Sequence, residues 1–162
     1  MNKNYLNIRT KALIIIAFAL LISSCVGSKR SREQKIDTVV TRARSYIGTP
    51  YKYGGTTSLG MDCSGLLMRS FEAIDIYIPR TAKEQSKTGK RVTISELKSG
   101  DLVFFKTLKK QGRITHAGMV TDTRKKDQIM VIHASSSRGV MEVDLMSDYY
   151  LKSFVKARRL KF

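Results

Sequence analysis

Three side chains in this 162-residue chain can together do nucleophilic chemistry: Cys63, His116 and His133. Cys63 stands in Asp62-Cys63-Ser64-Gly65, directly ahead of a segment in which Leu67, Phe71 and Ile74 form one apolar stripe at helical spacing. A cysteine in the first turn of a helix feels the positive end of the helix dipole and backbone N–H groups without partners. Both favour the thiolate and so lower the thiol pKa. The N–H groups of Cys63 and Ser64 are also placed to hold an oxyanion. A free cysteine is usually just a small buried hydrophobe, so Cys63 alone decides little. The histidines change the weight. They are the only two in the chain, and each lies in a β-type run, Thr115-His116-Ala117-Gly118-Met119-Val120 and Val131-Ile132-His133-Ala134. A turn near Lys125–Gln128 and antiparallel pairing about it would bring them together. A thiolate needs a base and the base an orienting partner, and three residues fill three roles. The same set could instead bind zinc with an open fourth position. The separations of 53 and 17 residues match no local ligand pattern, however.

Other polar residues cluster ahead of and behind Cys63. Tyr51, in Thr49-Pro50-Tyr51-Lys52-Tyr53-Gly54-Gly55, offers a hydroxyl to an oxyanion or a substrate, or packs on the preceding helix. Asp62 suits an N-cap. Arg80, beside Pro79, can grip a carboxylate in a two-pronged fork or stay solvated.

The elements that must position these groups follow from periodicity. Ser31-Arg32-Glu33-Gln34 has the capping-box pattern, and Ile36, Val39, Val40, Ala43, Tyr46 and Ile47 continue at helical spacing up to Gly48 and Pro50. Residues 51–60 read as a loop. Asp62 opens the second helix, and Thr81-Ala82-Lys83-Glu84 opens a short third one, again as a capping box. After Gly100 come short β-rich runs: Leu102–Phe105, Ile114–Thr121, Ile129–Ala134, Val140–Val143 and Phe154–Leu160. Helices first and strands later predict an α+β fold with an antiparallel sheet of five or six strands.

Composition narrows the setting. Hydrophobic residues at 42% and charged residues at 27% describe a globular chain, and the length fits one domain. Two cysteines make neither a disulfide-dense scaffold nor a four-cysteine zinc ribbon. Lys3, Arg9 and Lys11 precede the apolar run 12–22, too short for the ~20 residues a spanning helix needs. Ser23-Ser24-Cys25 follows. This is a secretory signal, and Ile22-Ser23-Ser24-Cys25 resembles a bacterial lipobox whose cysteine is lipidated. The expected organisation is a signal peptide over 1–24, a lipidated Cys25 and tether over 25–33, and one domain over 34–162. The expected location is the cell envelope, on the periplasmic side of the outer membrane in a Gram-negative cell. Net charge is +17. Losing Lys3, Arg9 and Lys11 leaves +14, a surface attractive to polyanions, with a denser patch at Lys152, Lys156, Arg158, Arg159 and Lys161. No base-stacking aromatic pattern accompanies the charge, so nucleic acid is not the expected partner; anionic wall and phospholipid headgroups are.

At this point the motifs resemble those of the NlpC-type cell-wall peptidases, a papain-like cysteine peptidase family. Pro50-Tyr51-Lys52-Tyr53-Gly54-Gly55 is similar to the family's Pro-Tyr-x-Tyr/Phe-Gly-Gly loop, and Met61-Asp62-Cys63-Ser64-Gly65 to its nucleophile motif. Pro79-Arg80-Thr81 with Gln85, Ser99–Phe105, His116-Ala117-Gly118-Met119-Val120 and His133-Ala134 follow in the family's order. The resemblance implies a papain-like fold, with Cys63 as nucleophile, His116 as general base and acid, and His133 orienting it. It further implies Tyr51 at the oxyanion site with backbone N–H groups near Ser64, Asp62 along the substrate subsite, and Arg80 as a further contact. The implied substrate is the peptidoglycan stem peptide, cut at amide bonds next to D-glutamyl or diaminopimelyl residues through a thioester, without metal or cofactor. The stretch between His116 and His133 looks long for the family, and the chain leaves no room for an accessory wall-binding domain. An acyltransferase or amidase on the same fold, and a catalytically silent wall-binding lipoprotein, are the other readings; the sequence is silent on oligomeric state.

Overall fold

The computed structural model describes residues 30–107, 114–125 and 127–162, with Lys11 and Leu13. The signal segment and Cys25 lie outside the described residues, and among those described no helix is long and apolar enough to cross a membrane. The chain divides into Met1–Lys35 and Ile36–Phe162, and the second unit carries the three residues of interest.

Helix α1 covers residues 30–44. Arg30 is already helical, so Ser31–Gln34 sits inside the helix and not at its start, as the capping-box pattern predicted. Arg, Glu and Gln are good helix formers and let the helix run through the motif. Ile36, Val39, Val40, Ala43 and Tyr46 are buried, as their spacing predicts. A small hairpin, β1 (Thr56–Thr57) and β2 (Gly60–Met61), interrupts the expected loop. Helix α2 spans Cys63–Glu72 and α3 spans Ala82–Gln85, the latter capped by Thr81, whose hydroxyl accepts from the Glu84 N–H. Strand β3 (Lys90–Val92) and a 3-10 turn (Ile94–Glu96) lead to β4 (Leu102–Phe105), β5 (His116–Asp122), β6 (Met130–Ser135) and β7 (Gly139–Asp144). Helix α4 (Asp148–Ser153) and β8 (Phe154–Arg159) close the chain.

The main sheet has six strands in the order β3-β8-β4-β5-β6-β7, every neighbouring pair antiparallel. One edge strand, β3, bears Lys90 and Arg91. At the other edge, Val140 of β7 exchanges two backbone bonds with Gly48 and Thr49, both 2.9 Å.

The sheet is buried on both faces. Leu66, Leu67 and Phe71 of α2 pack with α1 residues on Leu102, Phe104, Ala117, Met119 and Ile132. Each such fully buried side chain contributes about 1.5–3 kcal/mol of hydrophobic stabilisation. The opposite face carries Val103, Phe105, Val120, Val131, Leu145 and Ala157, with Tyr150 and Phe154 against them. Part of the basic C-terminal patch serves the fold. Arg159 holds the buried Asp101 carboxylate through two bonds of 2.6 and 2.7 Å, and Arg158 donates to the Ser86 carbonyl.

Candidate active site

Cys63 is the first residue of α2, buried and free of any disulfide. Asp62 caps the helix, its Oδ1 accepting from the Gly65 N–H at 2.7 Å. The chain reaches this point through a tightly packed backbone. Lys52 donates to the Met61 carbonyl, Met61 to that of Pro50, and Asp62 to that of Gly55. A Cβ at Gly55 would lie 2.3 Å from the Gly60 carbonyl oxygen, and one at Gly65 equally close to that of Gly55. Only glycine permits this stacking, and it fixes where α2 begins.

His116 opens β5, which α2 packs against. The register pairs Met119 with Ile132 and Val120 with Val131, with an irregularity before Asp122. His116, Gly118, His133 and Ser135 therefore share one face of the sheet. His116 Nε2 lies 2.8 Å from His133 Nδ1, with the rings edge to face and centroids 4.9 Å apart. In that register Gly118 stands opposite His133. A Cβ there would come 2.6 Å from Val131 Cγ1 and press on the His133 Cβ at 3.4 Å. The row continues, since His133 Nε2 lies 3.1 Å from the Tyr150 hydroxyl. With Nε2 of His116 and Nδ1 of His133 bonded to each other, the two nitrogens cannot both ligate a metal in this arrangement, which counts against the zinc reading.

Burial depresses both histidines, His116 to about 4 and His133 to about 3, the latter also opposed by His116 and Arg138. Both rings are neutral at physiological pH. Burial pushes the Cys63 thiol up, against N–H groups of Ala117, Ser64 and Cys63 that face the sulfur and pull it down. The helix-start argument predicted the opposite direction. Its dipole and donors are present, but desolvation outweighs them. The resting pair is thus a neutral thiol and a neutral imidazole.

Tyr51 lies close enough for Cys63 and Asp62 to act on its hydroxyl, whose pKa is raised by burial first and then by those two groups. Asp62 and Arg80 meet each other. Arg80 spans both Asp62 oxygens at 2.9 and 2.7 Å, while Gly54 N–H and the Ser64 hydroxyl also donate to the carboxylate. Burial tends to raise the Asp62 carboxyl, but Arg80, Gly65 and Ser64 together hold it below the usual range. Arg80 does grip a carboxylate, but it is the chain's own. The Ser64 hydroxyl, which also accepts from Arg80, belongs to this closed cluster, leaving the Ser64 N–H as its contribution near the sulfur.

A cleft of about 610 Å³ opens beside the histidines, lined by Tyr51, His116, His133, Arg138, Tyr149 and Tyr150 among others. Tyr150 and Arg138 were not found in the sequence. No spacing rule ties residue 150 to residue 133, and the only signal was an aromatic pair between two β-rich runs.

The sequence pattern of the NlpC/P60 family matches residues 48–159. The chain is 38% identical over 156 residues to the probable endopeptidase NlpC of Escherichia coli, covering 91% of this chain and 97% of that protein. It is 40% identical over 123 residues to a gamma-DL-glutamyl hydrolase of Bacillus subtilis, covering 75% of this chain and 28% of that one. A solved NlpC/P60 family structure from Bacillus cereus superposes with a TM-score of 0.67 at 30% identity, over 76% of this chain and 39% of the other.

Proposed function

The chain belongs to the NlpC/P60 family, and from that premise we propose that it is a cysteine endopeptidase of peptidoglycan that cuts amide bonds within stem peptides. The observation that carries the chemistry is the 2.8 Å bond between His116 and His133, which stand on neighbouring strands that both contact the Cys63 helix.

That bond selects the tautomer. When His116 donates from Nε2 to His133 Nδ1, the lone pair of His116 Nδ1 is left to receive the thiol proton. His133 then carries its own proton on Nε2 and donates it to the Tyr150 hydroxyl. Proton transfer to His116 accompanies attack of Cys63 sulfur on the scissile carbonyl carbon. The negative oxygen forms beside the Cys63 and Ser64 N–H groups, which the helix ladder does not use, with the Tyr51 hydroxyl near. Collapse breaks the C–N bond, and His116 returns the proton to the leaving amine. Water, deprotonated by His116, then hydrolyses the thioester.

D-glutamyl or diaminopimelyl linkages are the proposed bonds, supported by the name of the B. subtilis relative. The proposed anchor is Cys25, lipidated after removal of residues 1–24, which would hold the enzyme in the envelope beside its substrate; the lipobox-like Ile22–Cys25 supports it. Digestion of purified peptidoglycan with residues 26–162, read by mass spectrometry of the released fragments, tests the activity. New termini within stem peptides, absent with Cys63→Ala and unaffected by a chelator, are expected; activity retained by Cys63→Ala sinks the reading. Metabolic labelling with a radioactive fatty acid, lost in Cys25→Ser, tests the anchor separately.

A further inference from the structure

Arg138 sits in the turn between β6 and β7, on the rim of the cleft that His116 and His133 line. Its backbone N–H donates to the Ser135 hydroxyl at 3.4 Å, and Ser135 lies 3.4 Å from the Ser137 hydroxyl, so two hydroxyl groups gather on the same turn. All of these residues line the cleft. Arg138 hydrogen-bonds the Tyr150 side chain, and its charge reaches both His133 and Tyr150.

What distinguishes Arg138 is its place: it lines the cleft without a carboxylate partner. Arg44, Arg69, Arg80, Arg124 and Arg159 each hold a carboxylate of the chain. Among the described residues no carboxylate pairs with Arg138. All thirteen Asp and Glu residues are described, and none of them lines the cleft. An exposed guanidinium facing a catalytic cleft without a counter-charge matches the geometry and sign of a planar anion.

We propose that Arg138, with the hydroxyls of Ser135 and Ser137, forms a subsite for a free carboxylate of the substrate beside the bond cut at Cys63. The inference rests on the peptidase reading above and names the chemical group the cleft selects. The guanidinium binds the carboxylate through two parallel N–H donors, and the serine hydroxyls donate to the same oxygens. Because Arg138 is exposed on its outer side, the gain is modest and sensitive to salt.

The experiment uses the full-length protein and a series of synthetic stem peptides in which one free carboxylate at a time is replaced by a carboxamide. Wild type is expected to prefer the free acid over one of the carboxamides by roughly tenfold in kcat/KM, as a charge-assisted hydrogen-bond pair implies. Arg138→Ala should erase that preference through KM, so that acid and carboxamide are cut with the same kcat/KM. Arg138→Lys, which keeps the charge but not the fork, should retain part of it and serves as well should the alanine variant fail to fold. Equal kcat/KM of wild type for the acid and every carboxamide overturns the subsite while leaving the peptidase reading intact. So does a preference that survives Arg138→Ala, or a loss equal on both substrates. Failure of wild type to cut any peptide overturns the peptidase reading and the subsite with it.

Discussion

Two polar clusters of the molecule, one around Asp62 and one around His133, are finished differently. Around Asp62, every hydrogen-bonding direction is taken up inside the chain: Arg80 spans the carboxylate, and Gly54, Ser64 and Gly65 complete its shell. Around His133, the row His116–His133–Tyr150 is held along one line, while Arg138 and its neighbouring serines face an open cleft. A charged residue beside a catalytic cysteine can therefore be scaffold or site, and residue type does not tell which. What tells is whether its partners are already in the molecule. The closed cluster locks the end of a helix, so that the sulfur and the N–H groups arrive in register. The open one has capacity left for something else.

The sharpest way to break this contrast is at the base. His116→Ala should lower kcat/KM by roughly 10²–10⁴-fold, the usual worth of a positioned general base, with the thermal unfolding midpoint unchanged. Asp62→Ala should act through the fold instead. It removes the cap and leaves the Arg80 guanidinium without its carboxylate, costing about 2–3 kcal/mol in denaturant titration, a value kept low because Arg80 is partly exposed. Asp62→Asn should cost less, since an amide oxygen still caps Gly65. Equal stability of wild type and Asp62→Ala would mean that the cluster is not closed. Tyr150→Phe keeps the ring packing against Phe105 and removes the hydroxyl that meets both His133 and Arg138. It should reduce kcat by roughly three- to tenfold at unchanged KM, the worth of one net hydrogen bond.

The smallest effect concerns pH. His116 is depressed to about 4 and His133 to about 3. His116, the proposed base, therefore stays neutral well below the ordinary histidine value, and the acid limb of kcat/KM should lie near pH 4, not 6.5. Stability follows the same sign. The unfolded chain binds the protons first, so the contribution of these histidines is complete above pH 6.5. It is lost as pH falls through 4 and 3. An acid limb near 6.5 would show that the rings are wetter than their packing implies.

What the sequence disclosed was mostly local. The Asp62 cap, the Thr81 cap and the α1 stripe depend on neighbours within a few residues. The meeting of His116 with His133 was readable because two β-type runs flank one turn. Arg80 by sequence can hold a carboxylate or stay solvated, and its partner, eighteen residues earlier, is brought there only by the packing of the α2 start. β3 was missed because three residues, two of them charged, show no alternation; it exists through pairing with β8, far along the chain. The direction of the Cys63 shift failed for a related reason. A helix dipole is visible in sequence, whereas desolvation depends on everything that packs around the sulfur.

The two ends of the main sheet bear on a different property, the tendency to self-associate. An open strand invites a second chain to add to it. Here β3 ends the sheet with Lys90 and Arg91, which repel an identical copy, and Val140 of β7 already exchanges its bonds with Gly48 and Thr49. A version of the protein with Lys90 and Arg91 neutralised would uncover a template for strand addition. Such a variant should precipitate in a concentration-dependent way while its core remains folded, so these two charges bear on solubility and not on stability.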